Sequence, residues 1–268
     1  MEKAYSYIKH QQIDEMSLNG TSIKYGKQPD IEDYWQQIIA CDDKTQRHAL
    51  IDGLVEKMSE NSAQNGFWAP QQELRLVFGM QNNSIHVDDM NLYYYYFDNL
   101  KAFNDYNKTS EHPIPDGGVM AKSILFTINN YFGPFNGDLG LRNQLTELNF
   151  DTFTFPSISV LRGKGVGACV EKAAVAHNLW LLGGRESYYV SSTSAKFEHS
   201  NDEGHAFCFM KNSAGEYMLY DAAMGNFGRV PGNPIESMLN GEPLVIGEPF
   251  KTHGIYANAC NMEQVKSQ

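Results

Sequence analysis

The sequence lacks the hydrophobic segments by which membrane and exported proteins are recognised. It contains no run of about 18 apolar residues, the length that a membrane-spanning helix needs. The segment 1–20 is polar throughout and has no apolar core of the kind that a signal peptide carries. We therefore expect a protein without a membrane span, either cytoplasmic or exported without a cleavable signal peptide.

Positive charge is also scarce. The 268 residues include 21 Lys and Arg against 32 Asp and Glu, which gives a formal net charge of −11. A surface this acidic repels the phosphate groups of nucleic acids and of anionic lipids. We therefore expect no nucleic-acid partner and no attraction to a membrane surface. These features leave the oligomeric state open.

Cysteine is sparse and widely scattered, without a CxxC pair or the spacing of a zinc site. Such a distribution is typical of free thiols in a reducing compartment, and the four positions are Cys41, Cys169, Cys208 and Cys260. The second half contains four residues of zinc-ligand type, namely Cys169, His205, Cys208 and Asp221. A regular strand would point Cys208 away from His205, so the two could not bind the same ion. We therefore expect no metal and no cofactor.

The first half of the chain is dominated by helical patterns. Apolar residues recur at helical spacing in five segments, namely 30–43, 43–62, 69–80, 88–106 and 119–133. A further helix is predicted over 141–150. The segment 107–118 is rich in turn residues and predicts a loop. We expect a helical N-terminal region over 1–118 that covers a catalytic core over 119–268.

The second half changes from helix to strand. A helix is predicted from Cys169 to the Gly183-Gly184 pair, followed by a strand at 187–194. Two more strands, 205–212 and 216–224, are separated by a hairpin-sized turn. The segment 225–243 predicts a loop, and 243–250 another short strand. One set of helices followed by antiparallel strands predicts an α+β fold.

Cys169 stands where a cysteine nucleophile would be placed. The thiolate is the reactive form of cysteine, and a helix N-terminus or an adjacent histidine favours it. Cys169 opens a helical pattern directly after three glycines. Of these, Gly165 and Gly167 are predicted to let a substrate approach the backbone closely. The first-turn N–H of Cys169 is a candidate donor to the oxyanion of an acyl-transfer reaction.

A base and an orienting acid are available downstream. His205 opens the strand 205–212, whose period of two places it on the same face as Phe207. Asp221 ends the neighbouring strand, so a hairpin could bring its carboxylate beside the imidazole. We predict that Cys169, His205 and Asp221 form a catalytic triad and that Phe207 lines the substrate cleft. Asp221 could instead serve only its turn, since Asp favours turns.

These residues carry a resemblance to a known family. The stretches "GVGACVEKAAVAHNLWLLGGRESYYV", "GHAFCFM" and "GEYMLYDAA" resemble the transglutaminase-like branch of the papain-like cysteine enzyme superfamily. The resemblance covers about residues 160–225 and departs at Phe207, where the family often has Trp, and after Asp221, where it often has Pro-Thr. It implies a helix packed on an antiparallel sheet, a Cys-His-Asp triad, and a second oxyanion donor upstream of the cysteine. Gln144 is the candidate for that donor, with Asn143 and Asn130 as alternatives.

The residues and the resemblance together predict an enzyme that attacks an amide through a thioester. Family members include transglutaminases, peptidases, bacterial effector deamidases and inactive scaffolds. We expect a protein or peptide substrate and most favour a glutamine deamidase or a transglutaminase-like amidohydrolase. A papain-like peptidase and a non-catalytic binding module remain the alternatives.

Overall fold

The fold was analysed in a computed structural model. It describes residues 15–18, 21–24, 27–71, 73–75, 84–114, 118–133, 157–191, 195–197, 206–212, 214–239 and 244–246. Two predicted site residues, Gln144 and His205, lie outside these ranges, as does the helix predicted over 141–150.

The described part of the chain has an α+β fold with helices concentrated in its N-terminal half. The helices are α1 (Glu32–Ala40), α2 (Lys44–Asn65), α3 (Met90–Thr109), α4 (Gly118–Phe132), α5 (Ile158–Gly163), α6 (Cys169–Leu182) and α7 (Pro234–Leu239). In these ranges, no helix is long and apolar enough to cross a membrane.

Within the described residues, the strands form one larger sheet and three strand pairs. They are β1 (Glu15–Leu18), β2 (Thr21–Lys24), β3 (Glu73–Arg75), β4 (Ser84–His86), β5 (Ser187–Ser191), β6 (Ala195–Phe197), β7 (Ala206–Lys211), β8 (Tyr217–Asp221), β9 (Asn226–Arg229) and β10 (Leu244–Ile246). The larger sheet is antiparallel with the order β5-β7-β8-β9. The pairs β1-β2 and β3-β4 are antiparallel, and β6-β10 is parallel.

Most of the predicted helices are confirmed. The patterns at 30–43, 43–62, 88–106 and 119–133 correspond to α1, α2, α3 and α4. Asp43 precedes α2, and its side chain accepts the N–H of Gln46 at 2.8 Å, whereas Gly66 follows the helix with φ of 73°. The Asp43 side chain accepts an N–H that has no partner within the helix, and glycine readily adopts the positive φ with which many helices end.

Two predictions of secondary structure are wrong. The segment 69–80 was expected to be helical, but Glu73–Arg75 forms a strand paired with Ser84–His86. Gln71 has φ of 65°, a left-handed conformation that a right-handed helix cannot contain. The segment 225–243 was expected to be a loop, yet it holds β9 and α7.

The residues that suggested a loop at 225–243 mark the boundaries of these two elements. Gly225 has φ of 70° in the turn that returns the chain from β8 to β9. Pro234 is the first residue of α7. Proline, which lacks an N–H, is tolerated there because an N–H at this position would have no acceptor within the helix. Asn233 precedes it, and its Oδ1 accepts the N–H of Glu236 at 3.2 Å.

Helix α6 occupies the centre of the molecule. It packs against α4 on one side and against β5 and β7 on the other, and α4 in turn packs against α3. Every residue of α6 except Val170 is buried. One hydrophobic core therefore holds residues from both sides of the predicted boundary at residue 118, such as Leu92 and Ala174. The division into two regions stays a prediction.

The chain reaches α6 through a close contact between Gly167 and α4. A Cβ at Gly167 would lie 2.8 Å from the Cβ of Phe132, the last residue of α4. Real Cβ atoms do not approach this closely, and the root of the Phe132 side chain cannot rotate away. Glycine at 167 therefore allows the segment before α6 to lie against α4.

We expect Gly167→Ala to lower the free energy of unfolding by about 1–3 kcal/mol, because the new methyl group overpacks this contact. The matched control is Gly163→Ala, where an added Cβ meets nothing within 4 Å and φ is not positive. That control should be neutral or stabilise by up to about 1 kcal/mol. Urea denaturation of both variants measures the difference, and equal stability of the two would contradict the packing argument.

Candidate active site

Cys169 is the first residue of α6 and is 8% exposed. Ala168 precedes it in an extended conformation, and its carbonyl accepts the N–H of Lys172 at 3.1 Å, which closes the first turn of the helix. The predicted helix start at Cys169 is confirmed. N–H groups of a first turn point beyond the end of the helix, because no preceding helical carbonyl can accept them.

The glycines before Cys169 have structural roles. Gly165 has φ of 70° and donates its N–H to the carbonyl of Arg162 at 2.9 Å. Val166 donates its N–H to the carbonyl of Leu161, also at 2.9 Å, which completes a Schellman motif at the end of α5. Gly167 provides the close contact with α4 described above. A contact of Gly165 or Gly167 with substrate stays a prediction.

Two buried contacts fix how α6 lies along the sheet. The Sγ of Cys208 in β7 donates to the carbonyl of Ala173 at 3.2 Å, and the Nδ1 of His177 is 2.9 Å from the Oγ of Ser187 in β5. Ser187 is paired with Met210 of β7. Residues 173 and 177 of the helix therefore lie level with residues 208 and 210 of β7, so that α6 runs alongside β7 in the same direction.

This register brings Cys169 to the end of the sheet at which β7 begins. Cys169 is four residues before Ala173, or about 6 Å along the helix axis. Ala206, the first residue of β7, is two residues before Cys208, or about 6.6 Å along the strand. The start of α6 is consequently level with the start of β7. His205 directly precedes Ala206 in the chain and lies outside the described residues.

Asp221 lies at the same end of the sheet. It is the last residue of β8, which runs antiparallel to β7 with Cys208 opposite Tyr220. Tyr220 belongs to the core around α6, and its hydroxyl donates to the carbonyl of Ala121 in α4 at 2.8 Å. By the same register Asp221 lies opposite Phe207, one residue after the start of β7.

The carboxylate of Asp221 has a structural role in the turn after β8. The residue is 1% exposed, and its Oδ1 accepts the N–H groups of Ala223 and Met224 at 3.0 and 3.1 Å. The alternative that Asp221 serves a turn is thus observed. It does not conflict with an orienting role, because a carboxylate has two oxygens and about four acceptor positions.

Phe207 and Cys208 are both fully buried, on opposite faces of β7. Phe207 packs edge-on against Phe209, with ring centroids 5.4 Å apart, whereas Cys208 belongs to the core under α6. Burial, together with the nearby carboxylate of Asp221, raises the pKa of the Cys208 thiol. Cys208 is therefore a core thiol, as the alternation predicts. Contact of Phe207 with substrate stays a prediction.

Two buried charged residues near Cys169 were missed by the sequence analysis. Glu171 is 0% exposed, and its Oε2 accepts the N–H of Ala168 at 3.0 Å. Lys172 is 3% exposed, and burial lowers its pKa. The spacing Ala168-x-x-Glu171 before an apolar run is the signal that could have revealed Glu171, since it matches the third position of a capping box.

Comparison with known proteins adds no family assignment. No protein-family model matches the chain, and no curated protein or solved structure is significantly similar to it. Among the residues that the structure describes, no group of three or more His, Cys, Asp or Glu is arranged to hold a metal ion.

The buried His177 should make stability depend on pH. Burial lowers its pKa from 6.5 to about 3, so the folded state binds the proton less readily than the unfolded state. Its stabilising contribution is fully present above pH 6.5 and is lost as the pH falls towards 3. In this range the free energy of unfolding should fall by up to about 1.4 kcal/mol per pH unit.

We expect His177→Gln to flatten this pH dependence while keeping a polar group beside Ser187. Urea denaturation between pH 7 and pH 4.5 measures the slope, and His112→Gln, at an exposed histidine, is the control. An unchanged slope in His177→Gln would show that other groups cause the acid sensitivity.

Substitutions of Asp221 should separate its turn contacts from its charge. Asp221→Ala removes the acceptor of two N–H groups and should lower the free energy of unfolding by about 2–4 kcal/mol. Asp221→Asn keeps an oxygen at the position of Oδ1, so we expect it to lose less than half as much. Thermal and urea unfolding test this, and equal losses in the two variants would contradict the role of Oδ1.

Proposed function

We propose that the protein is a cysteine-dependent acyl-transfer enzyme that acts on amides through a thioester intermediate. The observation that supports it best is the register of α6 on the sheet. The contacts Cys208–Ala173 and His177–Ser187 set Cys169 level with the start of β7, which is also the end of β8. Cys169, the first residue of β7 and Asp221 therefore belong to one end of the sheet.

The fold that we propose is papain-like, of the transglutaminase-like branch. It would have the cysteine at the head of a central helix and the histidine and aspartate on neighbouring antiparallel strands. The packing of α6 against β5 and β7 of the antiparallel sheet supports this proposal. The helical half would cover α6 from behind and form one wall of the cleft.

Each member of the triad has a distinct role in the proposal. Cys169, the first residue of α6, is the nucleophile. His205 accepts the thiol proton and later returns a proton to the leaving group. Asp221 orients the imidazole of His205 through the carboxylate oxygen that does not serve the turn. The Cys169 N–H and Gln144 are the proposed oxyanion donors.

The reaction conserves atoms and charge in two stages. The thiolate of Cys169 attacks the amide carbon, and the tetrahedral oxyanion collapses as the C–N bond breaks. Protonated His205 gives its proton to the leaving nitrogen, which departs as ammonia or an amine and leaves a thioester. Water then attacks the thioester, loses a proton to His205, and releases the carboxylic acid and the Cys169 thiolate.

The favoured substrate is the side-chain amide of a glutamine in a protein or peptide. This preference follows from the resemblance to the transglutaminase-like branch. Water is the favoured acceptor, which makes the enzyme a deamidase. An amine acceptor would make it a transglutaminase, and a main-chain amide substrate would make it a peptidase.

Selective alkylation tests whether Cys169 is an activated thiol. We expect iodoacetamide at neutral pH to modify Cys169 faster than Cys41, although Cys169 is buried and Cys41 is half-buried. Exposure alone predicts the opposite order, whereas a nucleophile that is paired with His205 predicts this one. Cys208, fully buried with a raised pKa, should stay unmodified in the native protein. Peptide mapping of the alkylated protein gives the rates.

Variants connect the alkylation rate to the proposed triad. His205→Ala should slow the alkylation of Cys169 by about tenfold or more, and Asp221→Asn should slow it less while the protein stays folded. If Cys169 is labelled no faster than Cys41 in the wild type, the proposed enzyme activity is wrong, and the non-catalytic binding module becomes the favoured alternative. Mass spectrometry of the substrate distinguishes the three reactions. A deamidase leaves a small gain in mass, a transglutaminase leaves a cross-link with loss of ammonia, and a peptidase leaves a cut chain.

A further inference from the structure

A buried carboxylate stands at the third position of α6, two residues after Cys169. Glu171 is 0% exposed, and its Oε2 accepts the N–H of Ala168 at 3.0 Å. Burying a carboxylate is unfavourable unless it is hydrogen-bonded. The hydrogen bond from Ala168 therefore gives the buried carboxylate a partner, and it also holds the residue that precedes the proposed nucleophile.

The start of α6 differs from the starts of the two longest helices. At α2 and α3, the side chains of Asp43 and Asp89 accept N–H groups from within the first turn, those of Gln46 and Asn91. The residue that precedes α6 is Ala168, whose methyl group cannot accept a hydrogen bond. A capping box consists of two hydrogen bonds, one to the side chain of the residue before the helix and one to the side chain of the third helical residue. Only the second is present here, from the Ala168 N–H to Glu171.

Two contacts fix the backbone before Cys169. Glu171 holds Ala168 from the helix side, with φ of −93° and ψ of −174°. Phe132 confines Gly167, since even one added carbon there would lie 2.8 Å from the Cβ of Phe132. The peptide that carries the Cys169 N–H directly follows these two constraints, and its own carbonyl, that of Ala168, accepts the N–H of Lys172.

We propose that Glu171 is a positioning residue for acyl transfer, which holds the Cys169 N–H in the direction needed to stabilise the oxyanion. It acts through its hydrogen bond to Ala168 and not through its charge. This inference rests on the proposed function, because an oxyanion forms only if Cys169 attacks a carbonyl. A misplacement of about 1 Å can lower the rate of such a step about a hundredfold.

Two reagents separate the positioning of the N–H from the reactivity of the thiolate. Iodoacetamide is attacked at a saturated carbon, so its reaction with Cys169 develops no oxyanion. p-Nitrophenyl acetate is attacked at a carbonyl: the S–C bond forms, the bond to p-nitrophenolate breaks, and an acetyl thioester remains on Cys169. The ratio of acylation rate to alkylation rate, corrected with Cys169→Ala, therefore reports the oxyanion donors alone.

Two conservative variants of Glu171 separate the length of its side chain from its charge. Glu171→Gln keeps an oxygen at the same distance but removes the charge, whereas Glu171→Asp keeps the charge but is one methylene too short to reach Ala168. We expect Glu171→Asp to lower the acylation-to-alkylation ratio by at least about tenfold and Glu171→Gln to retain most of it. Because the ratio is measured on folded, alkylatable protein, a general loss of stability does not produce this pattern.

A remote capping residue provides the control. Asp43→Ala removes a comparable helix-end hydrogen bond from α2 and should leave the ratio unchanged. A wild-type ratio in Glu171→Asp, or an equal loss in Glu171→Gln, would overturn the positioning role. If wild-type Cys169 reacts with neither reagent, the proposed function itself fails.

Discussion

The burial of α6 between a helical layer and an antiparallel sheet is the constraint on which the rest of the structure depends. A helix enclosed on both sides cannot slide, because every shift would break contacts to two layers at once. Cys208 and Ser187 hold it from the sheet, and the hydroxyl of Tyr220 links the same sheet to α4. The position of Cys169 is therefore set by core packing and not by the loop that precedes it.

The site combines rigid placement with local departures from the usual rules of helix formation. Ala168 is a poor N-cap, Glu171 is a buried carboxylate, and Gly167 is pressed against Phe132. Such departures reduce stability unless something compensates, and they tend to concentrate at functional sites. Here they occur together within five residues of one another, directly around the proposed nucleophile, while Cys208 behaves as an ordinary core thiol.

The periodicity of the sequence predicts α1–α4, α6 and the strands β5, β7 and β8, because each pattern is long and decided by neighbouring residues. It fails where one backbone conformation excludes the predicted element, as the positive φ of Gln71 excludes a helix. It also fails where turn residues mark the boundary of a strand or helix, as Gly225 does, and do not form a long loop. The register of α6 could not be predicted, since it depends on partners far apart in sequence, such as Cys208 and Ala173. Patterns near one residue cannot encode such a contact. The packing role of Gly167 was hidden for the same reason, because its partner Phe132 belongs to α4.

The central claim is that Cys169 forms a covalent acyl intermediate at the end of this sheet. The most direct measurement is to mix the protein with glutamine-containing peptides, stop the reaction with acid, and map the adduct by mass spectrometry. We predict a thioester on Cys169 whose added mass equals the peptide less ammonia, and no such adduct in His205→Ala. Conversion of a peptide without any adduct on Cys169, or an adduct on another cysteine, would contradict the account.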